Sequence, residues 1–222
     1  MQKSALVIAI DGPSASGKST VSRLVARRLN FNHVDSGSLY RGVAWFLLER
    51  KTRLDDARAV AAALGKIRMD FMARNNAILF SINGSELESE LRSEAVNEIV
   101  SPVAALPAVR EWVVDRLRRL VAYGSLVMEG RDIGTAVFPD APFKFYLDAS
   151  PAERARRRAL ESGGMPAFEA VLRSITKRDK TDSTRARDPL KVAEGALVIQ
   201  TTQMSAGQVA DLIVSAVSRK EG

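Results

Sequence analysis

The sequence GPSASGKS at residues 12–19 decides the fold, because it fits the pattern G-x-x-x-x-G-K-[ST] of a phosphate-binding loop. It follows a continuous aliphatic run at residues 5–10, which predicts a strand buried on both faces as in a parallel sheet. Helical spacing begins at Lys18 and places the apolar residues between 21 and 29 on one face. Strand, loop and helix in this order predict a nucleoside triphosphate site.

The chemistry of the loop follows from its residue types. The two glycines let successive backbone N–H groups face one concavity, at the positive end of the helix dipole. Lys18 can neutralise the β- and γ-phosphates, and the Ser19 hydroxyl, or that of Thr20, can ligate a Mg²⁺ ion that bridges them. The residues expected to hold the triphosphate are Gly12, Pro13, Ser14, Ala15, Ser16, Gly17, Lys18, Ser19 and Thr20.

Composition limits the possible chemistry. The 222 residues are 46% hydrophobic and 27% charged, which favours one globular core and excludes a disordered or fibrous chain. The formal net charge of +7 suits partners that carry phosphate groups. With no Cys and a single His, disulfides, thiol nucleophiles and Cys-ligated zinc are excluded, and a histidine-based triad or metal site is not expected. The longest apolar run near the N-terminus is too short for a membrane span or signal core, so we expect a cytoplasmic protein.

Further short apolar runs, each followed by helix-like sequence, predict an α/β fold with a parallel sheet between helices. These runs lie at residues 31–34, 126–128, 143–147 and 196–199.

Two segments differ from this alternation. Runs at residues 67–72 and 78–82 are joined by Arg74-Asn75-Asn76 and followed by Asn83-Gly84, which predicts antiparallel hairpins in a small β-rich insert. Residues 151–191 contain 11 basic and 6 acidic side chains and therefore hold most of the net charge.

Three classes of phosphate-loop protein are candidates: a GTPase switch, a nucleic-acid-dependent ATPase and a small-molecule kinase. A GTPase switch is excluded because no D-x-x-G motif occurs. A nucleic-acid-dependent ATPase is disfavoured because the basic segment contains a single aromatic residue, Phe168. A small-molecule kinase needs a second set of polar groups, and the loops at residues 35–41 and 129–135 provide it. Both loops follow predicted parallel strands, so Arg41 and Arg131 can approach one acceptor phosphate.

The motifs together resemble one family, the bacterial cytidylate kinases of the nucleoside monophosphate kinase class. The matching segments are I-D-G-P-S-x-S-G-K-S-T (10–20), D-S-G-x-L-Y-R (35–41), L-R-x-E-x-V (91–96), V-R (109–110), E-G-R-D-I-G-T (129–135), V-F-P-D-A-P-x-K-F-Y-L-D-A-S (137–150), E-R-A-x-R-R (153–158) and R-D-x-x-D-S-x-R (178–185).

The resemblance implies a three-layer P-loop α/β fold with a five-stranded parallel sheet, a β-rich insert that binds the acceptor nucleotide, and a mobile arginine-rich lid. It implies a single kinase domain over residues 1–222. The expected core covers 1–65, 101–150 and 186–222, the insert about 66–100 and the lid about 151–185, with a short Gly163-Gly164 turn inside the lid.

The implied reaction is transfer of the γ-phosphoryl group of ATP, with Mg²⁺, to CMP or dCMP by a monomer that binds neither nucleic acid nor membrane. The implied acceptor-phosphate ligands are Ser36, Arg41, Arg131 and Arg185, the cytosine-reading residues are Ser101, Arg110 and Asp132, and Arg178 and Asp182 lie near the sugar. Lid arginines such as Arg154 and Arg158 would reach the transferring phosphoryl group, and the catalytic set would be Lys18, Arg131, Arg158 and Arg185.

Two features of the chain bear on these expectations. Glu129 stands where family members can carry Asp, which leaves its expected indirect role at the magnesium ion open. His33, in a strand-like segment, is interpreted as a structural residue. The alternatives are a kinase of another small acceptor such as UMP, and then a nucleic-acid-binding ATPase.

Overall fold

The computed structural model describes residues 5–161 and 168–221, so the expected Gly163-Gly164 turn lies outside the described residues. The strands are β1 (Val7–Asp11), β2 (Asn32–Asp35), β3 (Met69–Arg74), β4 (Ala77–Ile82), β5 (Ser85–Glu86), β6 (Leu126–Gly130), β7 (Phe143–Asp148) and β8 (Leu197–Gln200). The α-helices are α1 (Lys18–Leu29), α2 (Ser36–Glu49), α3 (Ala57–Leu64), α4 (Glu94–Ala105), α5 (Pro107–Arg119), α6 (Pro151–Glu161), α7 (Phe168–Thr184) and α8 (Ala206–Glu221).

The predicted five-stranded parallel sheet is confirmed, with the order β2-β6-β1-β7-β8. Strand β1 lies at its centre, and all five of its residues are buried, as its aliphatic run predicts. Because the strands are parallel, the loops that follow β1, β2 and β6 open at the same edge of the sheet. The phosphate loop and the two polar loops are therefore neighbours.

The predicted β-rich insert is confirmed as antiparallel pairs, β3 with β4 and β4 with β5. Asn75 and Asn76 have φ angles of 51° and 57°, and Asn83 and Gly84 have 51° and 82°, which is the left-handed conformation that tight hairpin turns require. The sequence did not indicate that the insert extends the main sheet. Strand β4 pairs in parallel with β2, with Ala77 opposite His33, so the whole sheet has eight strands.

Helices cover both faces of the sheet and produce two separate apolar cores. Helices α1 and α8 bury Val25 and Ile213 against one face. Helices α2, α4 and α5 bury Leu47, Val103 and Val113 against the other, which gives the expected three layers. None of the described helices combines the length and apolar composition that crossing a membrane requires.

The basic segment forms a helix pair. Helices α6 and α7 pack on each other through a small apolar cluster of Ala155, Val171 and Ile175. This cluster is separate from the two main cores, so the pair is attached to the sheet mainly through polar contacts.

Candidate active site

The loops at the carboxyl edge of the sheet surround a cleft of about 1030 Å³. Eight basic and five acidic side chains line it. Most residues expected at the site line this one cleft, namely Ser14 to Thr20, Ser36, Arg41, Ser101, Arg131, Asp132, Arg158, Arg178, Asp182 and Arg185. Gly12, Pro13 and Arg110 are not among the lining residues.

The start of the phosphate loop can be occupied only by glycine. Gly12 has a φ of 149°, and a Cβ atom there would lie 2.1 Å from the carbonyl oxygen of Leu147. Gly17 has a φ of 91° where it precedes α1, again in the region that favours glycine. The two glycines of the motif thus shape the loop, although Gly12 itself does not face the cleft.

Lys18 is folded back onto its own loop. Its Nζ donates to the Pro13 carbonyl at 2.5 Å and to Ser16 Oγ at 3.2 Å. Burial, together with the positive charge of Arg131, lowers the pKa of Lys18 to about 7, while Glu129 and Asp11 oppose the shift. The ammonium group is therefore poorly solvated, and an anion in the loop would stabilise its charged form.

Asp11 joins the phosphate loop to the loop that carries Arg131. Its two carboxylate oxygens accept hydrogen bonds from the backbone N–H groups of Ile133 and Gly134, each at 2.8 Å. Burial raises the pKa of Asp11 to about 6, and the two backbone hydrogen bonds oppose that shift. Sequence reasoning missed this role, although an acidic residue directly after a buried strand was a signal that could have found it.

The Ser19 hydroxyl donates to Glu129 Oε2 at 2.8 Å, and the Ser36 hydroxyl donates to the Glu129 carbonyl at 2.6 Å. No cluster of three acidic, histidine or cysteine side chains suited to a metal occurs among residues 5–161 and 168–221. Magnesium in phosphate-loop kinases needs few protein ligands, because the phosphates supply the others. A hydroxyl beside a carboxylate at the cleft floor fits that mode of binding.

Arginines from several different segments of the chain face the cleft. Arg41 donates to the Leu91 carbonyl at 3.0 Å and to Asn97 Oδ1 at 2.7 Å, and burial lowers its pKa to about 10. Arg131 Nε donates to Asp182 Oδ2 at 3.0 Å.

Arg178, from the lid, is the least satisfied of these arginines. Its Nε is buried without a hydrogen-bond acceptor among the described residues. Burial and the neighbouring Arg131 lower the pKa of Arg178 to about 9. The excess of basic over acidic side chains in this cleft favours a ligand with several negative charges.

Arg110 lies behind Asp132. Its side chain is only 1% exposed, and its guanidinium forms ion pairs with Asp132 through Nη2 and with Asp188 through Nε, the latter at 2.8 Å. Arg185 Nη2 lies 3.4 Å from the same Asp132 oxygen. Asp132 therefore faces the cleft with its orientation fixed by Arg110 and with Arg185 close by, and Asp188 was not predicted as part of this group.

Arg154 is not where we expected it. We expected it to reach the transferring phosphoryl group, but it is buried at the base of the lid, where it donates to the carbonyls of Ala149 at 3.0 Å and Ser14 at 3.2 Å. It also pairs with Asp179, whose other carboxylate oxygen accepts the Ser14 N–H at 3.2 Å. Arg154 and Asp179 thus anchor both lid helices to the phosphate loop, while Arg158 lines the cleft.

A smaller cavity of about 330 Å³ adjoins the outer side of the phosphate loop. Its floor is apolar, with Val21, Met204 and Val209, and Arg157 forms one wall. Arg157 is held by Glu153 Oε1 at 2.8 Å and by the Thr201 carbonyl at 2.7 Å. An apolar floor beside a fixed guanidinium suits a flat heteroaromatic ring, and no sequence motif indicated this cavity.

Known proteins of one family resemble this chain over nearly its whole length. Residues 8–219 match the cytidylate kinase family. A cytidylate kinase from a Geobacillus species is 42% identical over 218 residues, covering 97% of each chain. A cytidylate kinase from Mycobacterium leprae is 40% identical over 221 residues, covering 98% of this chain and 97% of its own.

Two solved structures share the fold at low sequence identity. An uncharacterised protein from Eubacterium ventriosum has a TM-score of 0.54 at 12% identity and covers 96% of this chain and 98% of its own. A Thermus thermophilus protein has a TM-score of 0.50 at 21% identity and covers 98% of both.

Proposed function

Since this chain belongs to the cytidylate kinase family and transfers the γ-phosphoryl group of ATP to CMP or dCMP, we propose that the arginine-lined cleft is where the transfer takes place. The observation that carries this assignment is the convergence of Lys18 with Arg41, Arg131, Arg158 and Arg178 on one cleft. Two phosphate-bearing substrates need such a concentration of positive charge.

The donor occupies the phosphate loop. Backbone N–H groups and Lys18 bind the β- and γ-phosphates, and the smaller cavity beside Arg157 receives the adenine ring. Ser19 is the side chain that would ligate Mg²⁺, and Glu129 accepts a hydrogen bond from its hydroxyl group. When bound, the ion neutralises charge on the β- and γ-phosphates of ATP.

The acceptor phosphate is bound by Ser36, Arg41, Arg131 and Arg185, all of which line the cleft. Arg178 and Asp182, from α7, lie near the sugar. The insert, about residues 66–100, covers this part of the cleft, and about 151–185 act as the lid over both substrates.

Asp132 reads cytosine together with Ser101, because a carboxylate can accept from the N4 amino group that uracil lacks. Arg110 is buried behind Asp132 and therefore acts on the base by fixing the orientation of that carboxylate.

No side chain acts as a nucleophile in this scheme. An oxygen of the acceptor phosphate attacks the γ-phosphorus in line, and ADP leaves. Lys18, Arg131, Arg158 and Arg185 neutralise the oxygens on which charge accumulates. Lid closure excludes water, which would otherwise hydrolyse ATP.

The test is an assay of ADP release with a panel of acceptors, CMP, dCMP, UMP, AMP and GMP, and with RNA and DNA at low salt. We expect turnover with CMP and dCMP far above the rate without acceptor. Equal or faster turnover with another acceptor would assign the cleft to a different kinase reaction, and stimulation by nucleic acid would favour an ATPase.

We also infer that the enzyme acts in the cytoplasm as a monomer, without nucleic-acid or membrane partners. Sedimentation at micromolar concentration tests the oligomeric state, and a dimer would contradict it.

A further inference from the structure

The single histidine of the chain lies next to the floor of the cleft. His33 is in β2 and is 7% exposed, and its Nε2 lies 3.0 Å from Oε1 of Glu129, which is itself only 3% exposed. The other oxygen of that carboxylate, Oε2, accepts a hydrogen bond from Ser19 Oγ at 2.8 Å. The three side chains therefore form a continuous chain of hydrogen bonds from the strand to the phosphate loop.

The direction of these hydrogen bonds follows from the groups involved. A carboxylate oxygen accepts, so Nε2 of His33 donates its N–H to Oε1 of Glu129. A serine hydroxyl has one proton and two lone pairs. Because the Ser19 hydroxyl donates its hydrogen bond to Oε2, its oxygen lone pairs stay available for another ligand.

Glu129 needs such a partner more than an aspartate would. Glutamate has one more rotatable bond than aspartate, so its carboxylate has more orientations to choose from. A buried carboxylate is also costly unless its oxygens accept hydrogen bonds. His33 meets both needs, because it satisfies Oε1 and fixes the position from which Oε2 reaches Ser19.

We propose that His33 is a positioning residue for phosphoryl transfer, holding Glu129 so that the Ser19 hydroxyl presents its lone pairs to the divalent cation of the bound nucleotide. The proposal rests on the proposed role of Ser19 in the kinase reaction. It assigns a function to the His33 side chain, which sequence analysis interpreted as structural. It also explains how Glu129 can act at the magnesium site, where family members can carry Asp.

The backbone and the side chain of His33 have separate roles. The His33 N–H donates to the Asn76 carbonyl at 2.8 Å, at the point where the insert joins the main sheet. Any residue except proline keeps that bond, so the side-chain substitutions used below test the contact to Glu129.

The experiment compares three variants with the wild type. His33→Gln keeps an N–H donor near the position of Nε2. His33→Leu removes the donor and fills the buried space with a bulky apolar side chain. Val34→Ala is the matched control, because Val34 is a buried neighbour in the same strand that belongs to the apolar core. Mn²⁺ binding to the protein with ADP is measured by electron paramagnetic resonance, beside the Mg²⁺ concentration that gives half-maximal activity.

We expect His33→Leu to weaken Mn²⁺ binding and to raise the half-saturating Mg²⁺ concentration, each by about tenfold, as is typical when a group that orients a metal ligand is lost. Binding of ADP without metal should stay within about twofold of the wild type. His33→Gln should recover most of the loss, and Val34→Ala should lower the melting temperature without changing Mn²⁺ binding.

Wild-type Mn²⁺ binding by folded His33→Leu protein would overturn the proposal, as would an equal loss in Val34→Ala. If His33→Leu does not fold, His33→Asn replaces it, because its shorter amide cannot reach Oε1, and the same tenfold loss is expected. Failure of the proposed function would appear separately, as a wild-type protein that does not phosphorylate CMP.

Discussion

Replacing Asp132 by Asn, with Asp188→Asn as the matched control, separates base recognition from charge pairing. Both carboxylates contact the same buried guanidinium of Arg110, Asp132 at Nη2 and Asp188 at Nε. Only Asp132 lines the cleft, whereas Asp188 lies on the other side of Arg110 and its side chain is 29% exposed. Each substitution therefore removes one carboxylate charge that pairs with Arg110. Only Asp132→Asn also changes the lining of the cleft.

The loss of stability follows from burial. Arg110 and Asp132 are 1% and 4% exposed, and breaking a buried ion pair costs roughly 3–5 kcal/mol. Arg110 keeps Asp188 in the Asp132→Asn variant, so we expect the lower end, about 3 kcal/mol. For a domain of this size that lowers the melting temperature by about 6–12 °C. Asp188→Asn removes a partly exposed partner, and we expect about 1 kcal/mol and about 2–4 °C.

The effect on specificity should be confined to Asp132. The wild type should prefer CMP to UMP by at least about tenfold in kcat/KM, because O4 of uracil would face the Asp132 carboxylate, and two unpaired acceptors cost about 1.4 kcal/mol or more. The Asn side chain can both donate and accept, so Asp132→Asn should lower the ratio mainly by slowing CMP. Asp188→Asn should keep the wild-type ratio of kcat/KM for CMP to that for UMP.

The assay measures ADP release with CMP and UMP below the melting temperature of each variant. An unchanged CMP-to-UMP ratio in Asp132→Asn would show that Asp132 does not read the base and only neutralises Arg110. An equal fall in both variants would mean that the arginine, and not the carboxylate, sets the preference.

Lys18→Ala should keep the fold, measured by circular dichroism, but lose transfer, and turnover within about tenfold of wild type would contradict the role of the loop. Arg41→Ala and Arg131→Ala should each reduce kcat/KM for CMP by about tenfold or more with ATP affinity unchanged, and an equal loss of ATP binding would move them to the donor site. Hydrogen exchange in about residues 151–185 should slow only when ATP and CMP analogues bind together, whereas full protection in the free protein would indicate a rigid patch. Burial lowers the pKa of Lys18 to about 7, and a bound triphosphate favours its charged form, so the protein should take up about one proton when ATP binds at pH 8. Calorimetry in two buffers of different ionisation enthalpy measures this uptake, and an equal uptake by Lys18→Met would exclude Lys18 as the group that binds the proton.

The parts of the fold that local sequence controls were predictable. The aliphatic run at residues 5–10 forms the central strand, and the observed strand, Val7–Asp11, differs from the run by two residues at the start and one at the end. The turns at Asn75-Asn76 and Asn83-Gly84 depend on left-handed backbone conformations that their own residues tolerate. The Arg41 and Arg131 loops meet because parallel strands place their carboxyl ends together.

The contacts that sequence reasoning missed join residues far apart in the chain. Asp179 pairs with Arg154 and with the backbone of Ser14, which is 165 residues away. His33 reaches Glu129 across 96 residues, through the register of β2 against β6. No periodicity or motif specifies which acid meets which base in three dimensions. The charge of the lid could therefore be predicted, and the direction in which each arginine points could not.

These ion pairs also explain how the cleft can be basic and ordered before substrate binds. A guanidinium has five N–H donors, and Arg131 uses Nε for Asp182 and one donor of Nη1 for the Gly130 carbonyl at 3.3 Å. The donors at the end of the fork stay available for a phosphate. The carboxylate thus fixes the arginine without neutralising the edge that binds substrate, so less side-chain entropy is lost when the acceptor arrives. Because Asp182 is on α7, the position of this helix also determines where Arg131 points, and we propose that this contact couples closure of the lid to binding of the acceptor phosphate.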